Sequence, residues 1–93
     1  MLTIRYSARF KKDYKTIKKR GYDTRLFEEV LDILSAEQPI PPKYLDHALK
    51  GDYKGHRELH ITPDWLLIYK VKDKELILEL TRTGTHSDLF LLR

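Results

Sequence analysis

His56-Arg57-Glu58-Leu59-His60-Ile61-Thr62, then Pro63-Asp64, then Trp65-Leu66-Leu67-Ile68-Tyr69-Lys70-Val71 is the stretch that decides the fold. Residues 56–62 alternate strictly, so Arg57, Leu59 and Ile61 share one face of a strand and His56, Glu58, His60 and Thr62 share the other. Pro63-Asp64 breaks the run. Residues 65–71 are nearly all apolar, the pattern of a central strand covered on both faces. Lys72-Asp73-Lys74 reads as a hairpin turn, and alternation resumes from Glu75 to Thr81 with Leu76, Leu78 and Leu80 expected inward. Gly84 ends that strand ahead of the tail Thr85-His86-Ser87-Asp88-Leu89-Phe90.

Upstream, the period changes from two to 3.6. Leu2-Thr3-Ile4-Arg5-Tyr6 suits a short strand, and Ser7 suits an N-cap. Phe10, Tyr14 and Ile17 form one stripe of a helix, with lysines and arginines opposite. Gly21 fits a left-handed C-terminal position, and Lys18, Lys19 and Arg20 suit the negative end of the helix dipole. A second helix, capped by Asp23 or Thr24, has an apolar face of Leu26, Phe27, Val30, Leu31 and Leu34, with Glu28, Glu29 and Asp32 toward water. It stops before Pro39, and Pro41-Pro42 opens a loop expected to run through Asp46-His47 to the turn Gly51-Asp52-Tyr53-Lys54-Gly55. The predicted order is β-α-α-β-β-β: an α+β domain, two helices packed on one face of an antiparallel-dominated sheet.

Ninety-three residues, 41% hydrophobic and 34% charged, predict one globular domain spanning 1–93, with roughly 65% of the unfolded chain's surface buried on folding. The longest unbroken apolar run is Trp65 to Tyr69, too short to span a bilayer. Charge appears by Arg5 without a signal-peptide apolar stretch, and there is no cysteine. Thiol chemistry and zinc-thiolate sites are excluded, and a cytoplasmic location is expected. Eight bases and one acid, Asp13, give residues 1–20 a charge of +7, leaving −3 on the remainder of a chain whose net charge is +4. That asymmetry fits a polyanion or an acidic protein partner, and equally a solvated helix face.

His47, His56, His60 and His86 all lie in the second half. A metal site is the first reading. His56 and His60 are four apart, a ligand spacing on a helix; on a strand they stand roughly 13 Å apart, too far to share an ion. Metal-free RNA cleavage is the second. Attack by the 2′-hydroxyl needs a base, an acid for the leaving 5′-oxygen and a cation for the phosphorane, and imidazole and guanidinium suit these tasks. His47, His60, Asp64, Arg82 and His86 are the candidates, and no cofactor is required. Each also has a plain structural explanation: Asp64 as a turn residue, Trp65 as core, Arg82 paired with Asp88 or Glu79, His86 capping a turn, Phe90 closing the core.

Four segments carry a resemblance: Lys43-Tyr44-Leu45-Asp46-His47-Ala48-Leu49, Lys54-Gly55-His56-Arg57-Glu58-Leu59-His60-Ile61, Pro63-Asp64-Trp65-Leu66-Leu67-Ile68-Tyr69-Lys70 and Arg82-Thr83-Gly84-Thr85-His86-Ser87-Asp88-Leu89-Phe90. They resemble the YafQ branch of the RelE/ParE toxins over nearly the whole chain. The resemblance implies a compact microbial-ribonuclease-like α+β domain, the toxin half of a bacterial type II toxin–antitoxin pair, entering the ribosomal A site and cleaving mRNA without metal. It implies catalytic positions at His47, His60, Asp64, Arg82 and His86, with Trp65 and Phe90 supporting the site or touching RNA. On that reading His47 is the base, His86 the acid and Arg82 the phosphorane stabiliser, with His60 and Asp64 orienting the imidazoles or sharing the proton work. The base and acid labels are interchangeable. Lys11, Lys12, Lys15, Lys18 and Lys19 would contact ribosomal RNA phosphates. The implied partners are the ribosome with its message and a cognate antitoxin, of the DinJ/RelB kind, encoded next door. Operator DNA would be bound through the antitoxin complex only, and no membrane. The tail Leu91-Leu92-Arg93 departs from the family pattern and is expected to alter packing near the site. The rivals are a free RNase, a non-catalytic ParE-like binder and a basic co-repressor; the retained His47, His60 and His86 separate a catalyst from the ParE-like binder, and the co-repressor role can coexist with catalysis.

Overall fold

A computed structural model describes residues 1–90. Its strands are β1 (Thr3–Tyr6), β2 (His47–Ala48), β3 (Arg57–Thr62), β4 (Trp65–Lys72) and β5 (Ile77–Gly84). Its α-helices are α1 (Ala8–Lys19), α2 (Thr24–Ser35) and α3 (His86–Phe90). The strands make one sheet in the order β1-β5-β4-β3-β2. β1 runs parallel to β5, from Thr3 opposite Ile77 to Tyr6 opposite Leu80, and every other pair is antiparallel. The α+β expectation therefore stands, with α1 and α2 lying in the connection from β1 at one edge of the sheet to β2 at the other.

Local chemistry sets the helix ends. The Ser7 hydroxyl oxygen accepts from the Phe10 N–H at 2.9 Å and donates to the Thr81 carbonyl at 2.8 Å, so one side chain caps α1 and ties it to β5. Gly21, with φ +84°, provides the left-handed exit from α1. Asp23 caps α2 by accepting from the Arg25 N–H.

The main core lies between the helices and the sheet. Phe10, Ile17, Phe27, Val30 and Leu34 pack against Leu59, Trp65, Leu67, Tyr69, Leu78 and Leu80. On the other face only Leu66, Ile68 and Leu89 form a small buried cluster, flanked by Leu49 and Tyr53. The continuous apolar run in β4 thus serves two unequal cores.

Three expectations change. The loop at Asp46-His47 contains the two-residue strand β2, paired to β3 with His47 opposite Glu58. His56 lies just outside β3 rather than within it. Leu76 does not point inward: it is 56% exposed at φ +55°, the left-handed exit of a short 3-10 turn at Asp73–Glu75, and β5 begins one residue later. Alternation cannot reveal a turn that resets the strand's start. The predicted effect of Leu91-Leu92-Arg93 lies outside the described residues.

Candidate active site

The open face of the sheet carries two rungs of side chains. Cross-strand register places His47, Glu58, Ile68 and Arg82 in line across β2, β3, β4 and β5. The next rung is His60, Leu66 and Gly84. Gly84 leads into α3, whose first residue is His86. The result is a row of imidazoles: the His47 and His60 ring centres are 6.4 Å apart and those of His60 and His86 5.7 Å. Residues 47, 60 and 86 are distant in sequence, and the sheet gathers them.

Beneath the row lies Glu58, 4% exposed. Its Oε1 is 3.2 Å from His47 Nε2 and 3.8 Å from His60 Nε2, while Oε2 is buried without a hydrogen-bond partner among the described residues. His47 Nδ1 is 2.8 Å from the Leu45 carbonyl oxygen. A carbonyl only accepts, so Nδ1 carries a proton. Nε2 then faces a carboxylate oxygen, and the contact becomes a hydrogen bond when one further proton is held between them. His47 and Glu58 together therefore form a site for a mobile proton. Leu45 sits at φ +52°, and this left-handed turn presents the carbonyl to His47. Asp46 fixes the same loop from the other side: it accepts from Arg57 Nε at 3.0 Å and Nη2 at 2.7 Å, and from the Tyr69 hydroxyl. Burial, reinforced by Asp46, pushes the Tyr69 hydroxyl well above its ordinary pKa, so it remains a donor.

His86 is exposed at the start of α3, and α3 is held at two points. Thr85 and Asp88 form a reciprocal cap: the Asp88 N–H donates to Thr85 Oγ1 at 3.2 Å, and the Thr85 N–H to Asp88 Oδ2 at 2.9 Å. Arg20 of the α1 exit grips Asp88 with two bonds of 2.7 and 3.1 Å. The Arg20 guanidinium holds the Asp88 carboxyl down at about 2, with the Thr85 bonds helping. Gly84 makes the approach possible: at φ +156°, a Cβ there would sit 2.9 Å from Asp88 Cβ.

The other predicted positions divide. Arg82 is in the Glu58 rung, yet its Nε and Nη2 pair with Asp13 Oδ2 and Oδ1 at 2.9 and 3.0 Å, not with Asp88 or Glu79. The pair is largely buried and raises the Arg82 pKa further. Asp64 is exposed and accepts from the Tyr22 hydroxyl at 3.1 Å and Thr62 Oγ1 at 2.9 Å; among the described residues it bonds no histidine. Those bonds, Thr62 foremost, lower its pKa. Trp65 is 0% exposed, its Nε1 donating to Thr83 Oγ1 at 2.8 Å. An RNA contact at Trp65 is therefore corrected: the indole supports the sheet from the covered face. Phe90 is partly exposed, edge-on to Tyr53 and 6.2 Å from the His86 ring. Lys11, Lys12, Lys15, Lys18 and Lys19 are exposed on α1, and at about 100° per residue they fall within about 120° of arc.

Glu58, Asp13 and Asp46 were not among the predicted site residues. Glu58 was visible as the residue two before His60 on the same alternating face. Asp13 was visible only as the lone acid of a basic segment. Asp46 gave no signal, because its partners Arg57 and Tyr69 meet it through the fold.

Comparison with known proteins follows the same outline. Residues 2–91 match the family model described as bacterial toxin of type II toxin-antitoxin system, YafQ. The mRNA interferase toxin YafQ of Escherichia coli K12 is 43% identical over 88 residues, 94% of each chain. A metal-bound toxin from Helicobacter pylori superposes with TM-score 0.91 at 50% identity, covering 97% of this chain and all of the other. The toxin in the E. coli DinJ-YafQ complex superposes with TM-score 0.87 at 41% identity, covering 97% and 99%.

Proposed function

Because this chain belongs to the YafQ family of bacterial type II toxin–antitoxin toxins, we propose that it cleaves mRNA on the ribosome by attack of the message's own 2′-hydroxyl. The carrying observation is the continuous row of His47, His60 and His86 above buried Glu58. The 2′-oxygen attacks phosphorus while its proton passes to the His47, His60 and Glu58 group. The bond to the 5′-oxygen breaks as His86, exposed at the start of α3, protonates the leaving oxygen. The products are a 2′,3′-cyclic phosphate and a 5′-hydroxyl. Imidazoles suit both transfers because their pKa lies near working pH. Arg82 stands in the same rung, and its guanidinium would stabilise the phosphorane charge, a role worth about 10²–10³ in rate. Asp64 positions the β3–β4 turn through Thr62 and Tyr22.

The basic arc of α1 supplies sequence-indifferent attachment to ribosomal RNA. The toxin of the E. coli complex assembles with DinJ; the partner of this chain is an antitoxin of that kind, and operator DNA is reached through their complex. The site of action is the cytoplasm, where messages are translated; among the described residues no helix is long and apolar enough to cross a membrane.

The test is induction in cells with mapping of message 5′ ends. In-frame cuts bearing 5′-hydroxyls are expected, abolished by His86→Ala. Cleavage of naked RNA at the same rate without ribosomes would remove the ribosomal step, and cuts bearing 5′-phosphates would remove 2′-hydroxyl attack.

A second reading concerns metal. Ligand atoms of Glu58, His60 and His86 lie within 4.8 Å of one another, a carboxylate and two imidazoles that fit a transition-metal ion. Such an ion would occupy the groups that carry protons. Equilibrium dialysis with Zn²⁺ should show one site, lost in His60→Ala.

A further inference from the structure

His60 belongs to two neighbourhoods. It is the middle imidazole of the catalytic row, and it also lines a groove of about 500 Å³ with Leu26, Glu29, Lys43, Tyr44 and Leu45. The groove's floor is Ile61 and Pro63, where β3 leaves the sheet beneath α2. Leu45 is the unusual wall. It is 60% exposed and held at φ +52°, a conformation that costs a branched apolar residue about 1 kcal/mol or more. Lys43 brings a cation to the rim, and Glu29, exposed on α2, brings a carboxylate.

We propose that this groove receives the nucleobase next to the scissile phosphate, and that Glu29 selects bases bearing an exocyclic amino group over uracil. Apolar walls from Leu26, Leu45 and Ile61 suit a flat aromatic ring. The Lys43 ammonium suits an adjoining phosphate. The Glu29 carboxylate only accepts hydrogen bonds, so it takes the amino donor of guanine, adenine or cytosine, with the adjacent N1–H of guanine reaching its second oxygen, whereas uracil offers a single N3–H flanked by two carbonyl oxygens that repel that second oxygen. Sharing His60 puts this base one nucleotide from the reacting phosphorus. The inference rests on the ribonuclease reading for its place in the reaction, and its binding half can be read without any cleavage.

Two measurements test it together. The first is a methyl NMR titration of the free protein with GMP and with UMP. Leu26, Leu45 and Ile61 methyls should move with GMP about tenfold more tightly than with UMP, and Glu29→Gln, which adds an amide donor for a uracil carbonyl, should narrow or invert that ratio. The second is the base composition at mapped cuts for wild type, Glu29→Gln and Leu45→Ala, where Glu29→Gln should shift cuts toward uracil. No methyl shifts, equal shifts with both nucleotides, or an unchanged spectrum of cuts in Glu29→Gln each overturn the subsite. Weaker antitoxin binding as the sole property altered by Leu45→Ala and Glu29→Gln would assign the groove to that protein and also overturn it. GMP-selective shifts in a protein that cuts no message would uphold the base site and overturn the ribonuclease reading instead.

Discussion

The two faces of the sheet are made by the same strands and have opposite contents. On the helix-covered face, Leu59, Trp65, Leu67, Tyr69, Leu78 and Leu80 are buried against α1 and α2. On the open face the same strands present Glu58, His60 and Arg82 around a small patch of Leu66 and Ile68. Because successive side chains of a strand alternate, each strand anchors itself through one residue and displays chemistry through the next. Stability and activity should therefore separate by face along β3, β4 and β5, with the irregularity at Thr81 reversing the parity of β5 between Leu80 and Arg82. The exception to the separation is Asp13, which reaches from the covered side to hold Arg82.

The largest effect should come from the open face. His86→Ala and His47→Ala should each lower message cleavage by about 10²–10⁴, while the thermal midpoint moves only a few degrees, as for other exposed positions. Full toxicity in both variants would break the comparison at its root. On the covered face, Leu67→Ala should cost about 2–5 kcal/mol, seen as a midpoint lower by about 10 °C or more, with folded protein retaining its rate per molecule at low temperature. A selective loss of turnover there would mean the faces are not independent.

Asp13→Ala sharpens the boundary. It leaves a largely buried guanidinium unpaired, and about 1–3 kcal/mol of stability should go; Asp13→Asn, which still accepts from the Thr83 N–H, should lose less. Reversing Lys12, Lys15 and Lys19 to Glu should reduce pelleting with ribosomes at moderate salt and leave the midpoint nearly unchanged; unaltered pelleting would remove α1 from the interface. The smallest effect is acid-dependent. Asp88 has a folded value of about 2, below its unfolded one, so its clamp on α3 is present above the ordinary carboxylate range and is lost as pH falls from about 3.9 toward 2. Amide resonances of Thr85 and Asp88 should report that transition, and Arg20→Ala should move it upward toward the ordinary carboxylate value.

Strong periodicity made the fold readable. The switch from Phe10-Tyr14-Ile17 spacing to alternation after residue 56 gave helices and strands nearly in place, since both signals come from burial on one side. Leu76 failed because a local turn, not burial, fixed its direction. Within the site, the histidines were recognisable as residue types and through the flanking motifs. Their partners were not. Glu58 lies one strand away from His47 by register, Asp46 meets Tyr69 across 23 positions, and Arg82 meets Asp13 across 69. Contacts that exist only after strands are ordered leave no spacing to read.

Pairing of β1 with β5 has a consequence for synthesis. The Ser7 hydroxyl and the Thr81 carbonyl it reaches are 74 positions apart, and the first strand has no other neighbour in the sheet. A nascent chain emerges with α1 and α2 ready but with its opening segment unpaired until residues 77–80 follow, and contacts of such long range form late. His86 follows still later. The row of imidazoles is therefore among the last features of the molecule to come together, after the strand that closes the sheet has been made.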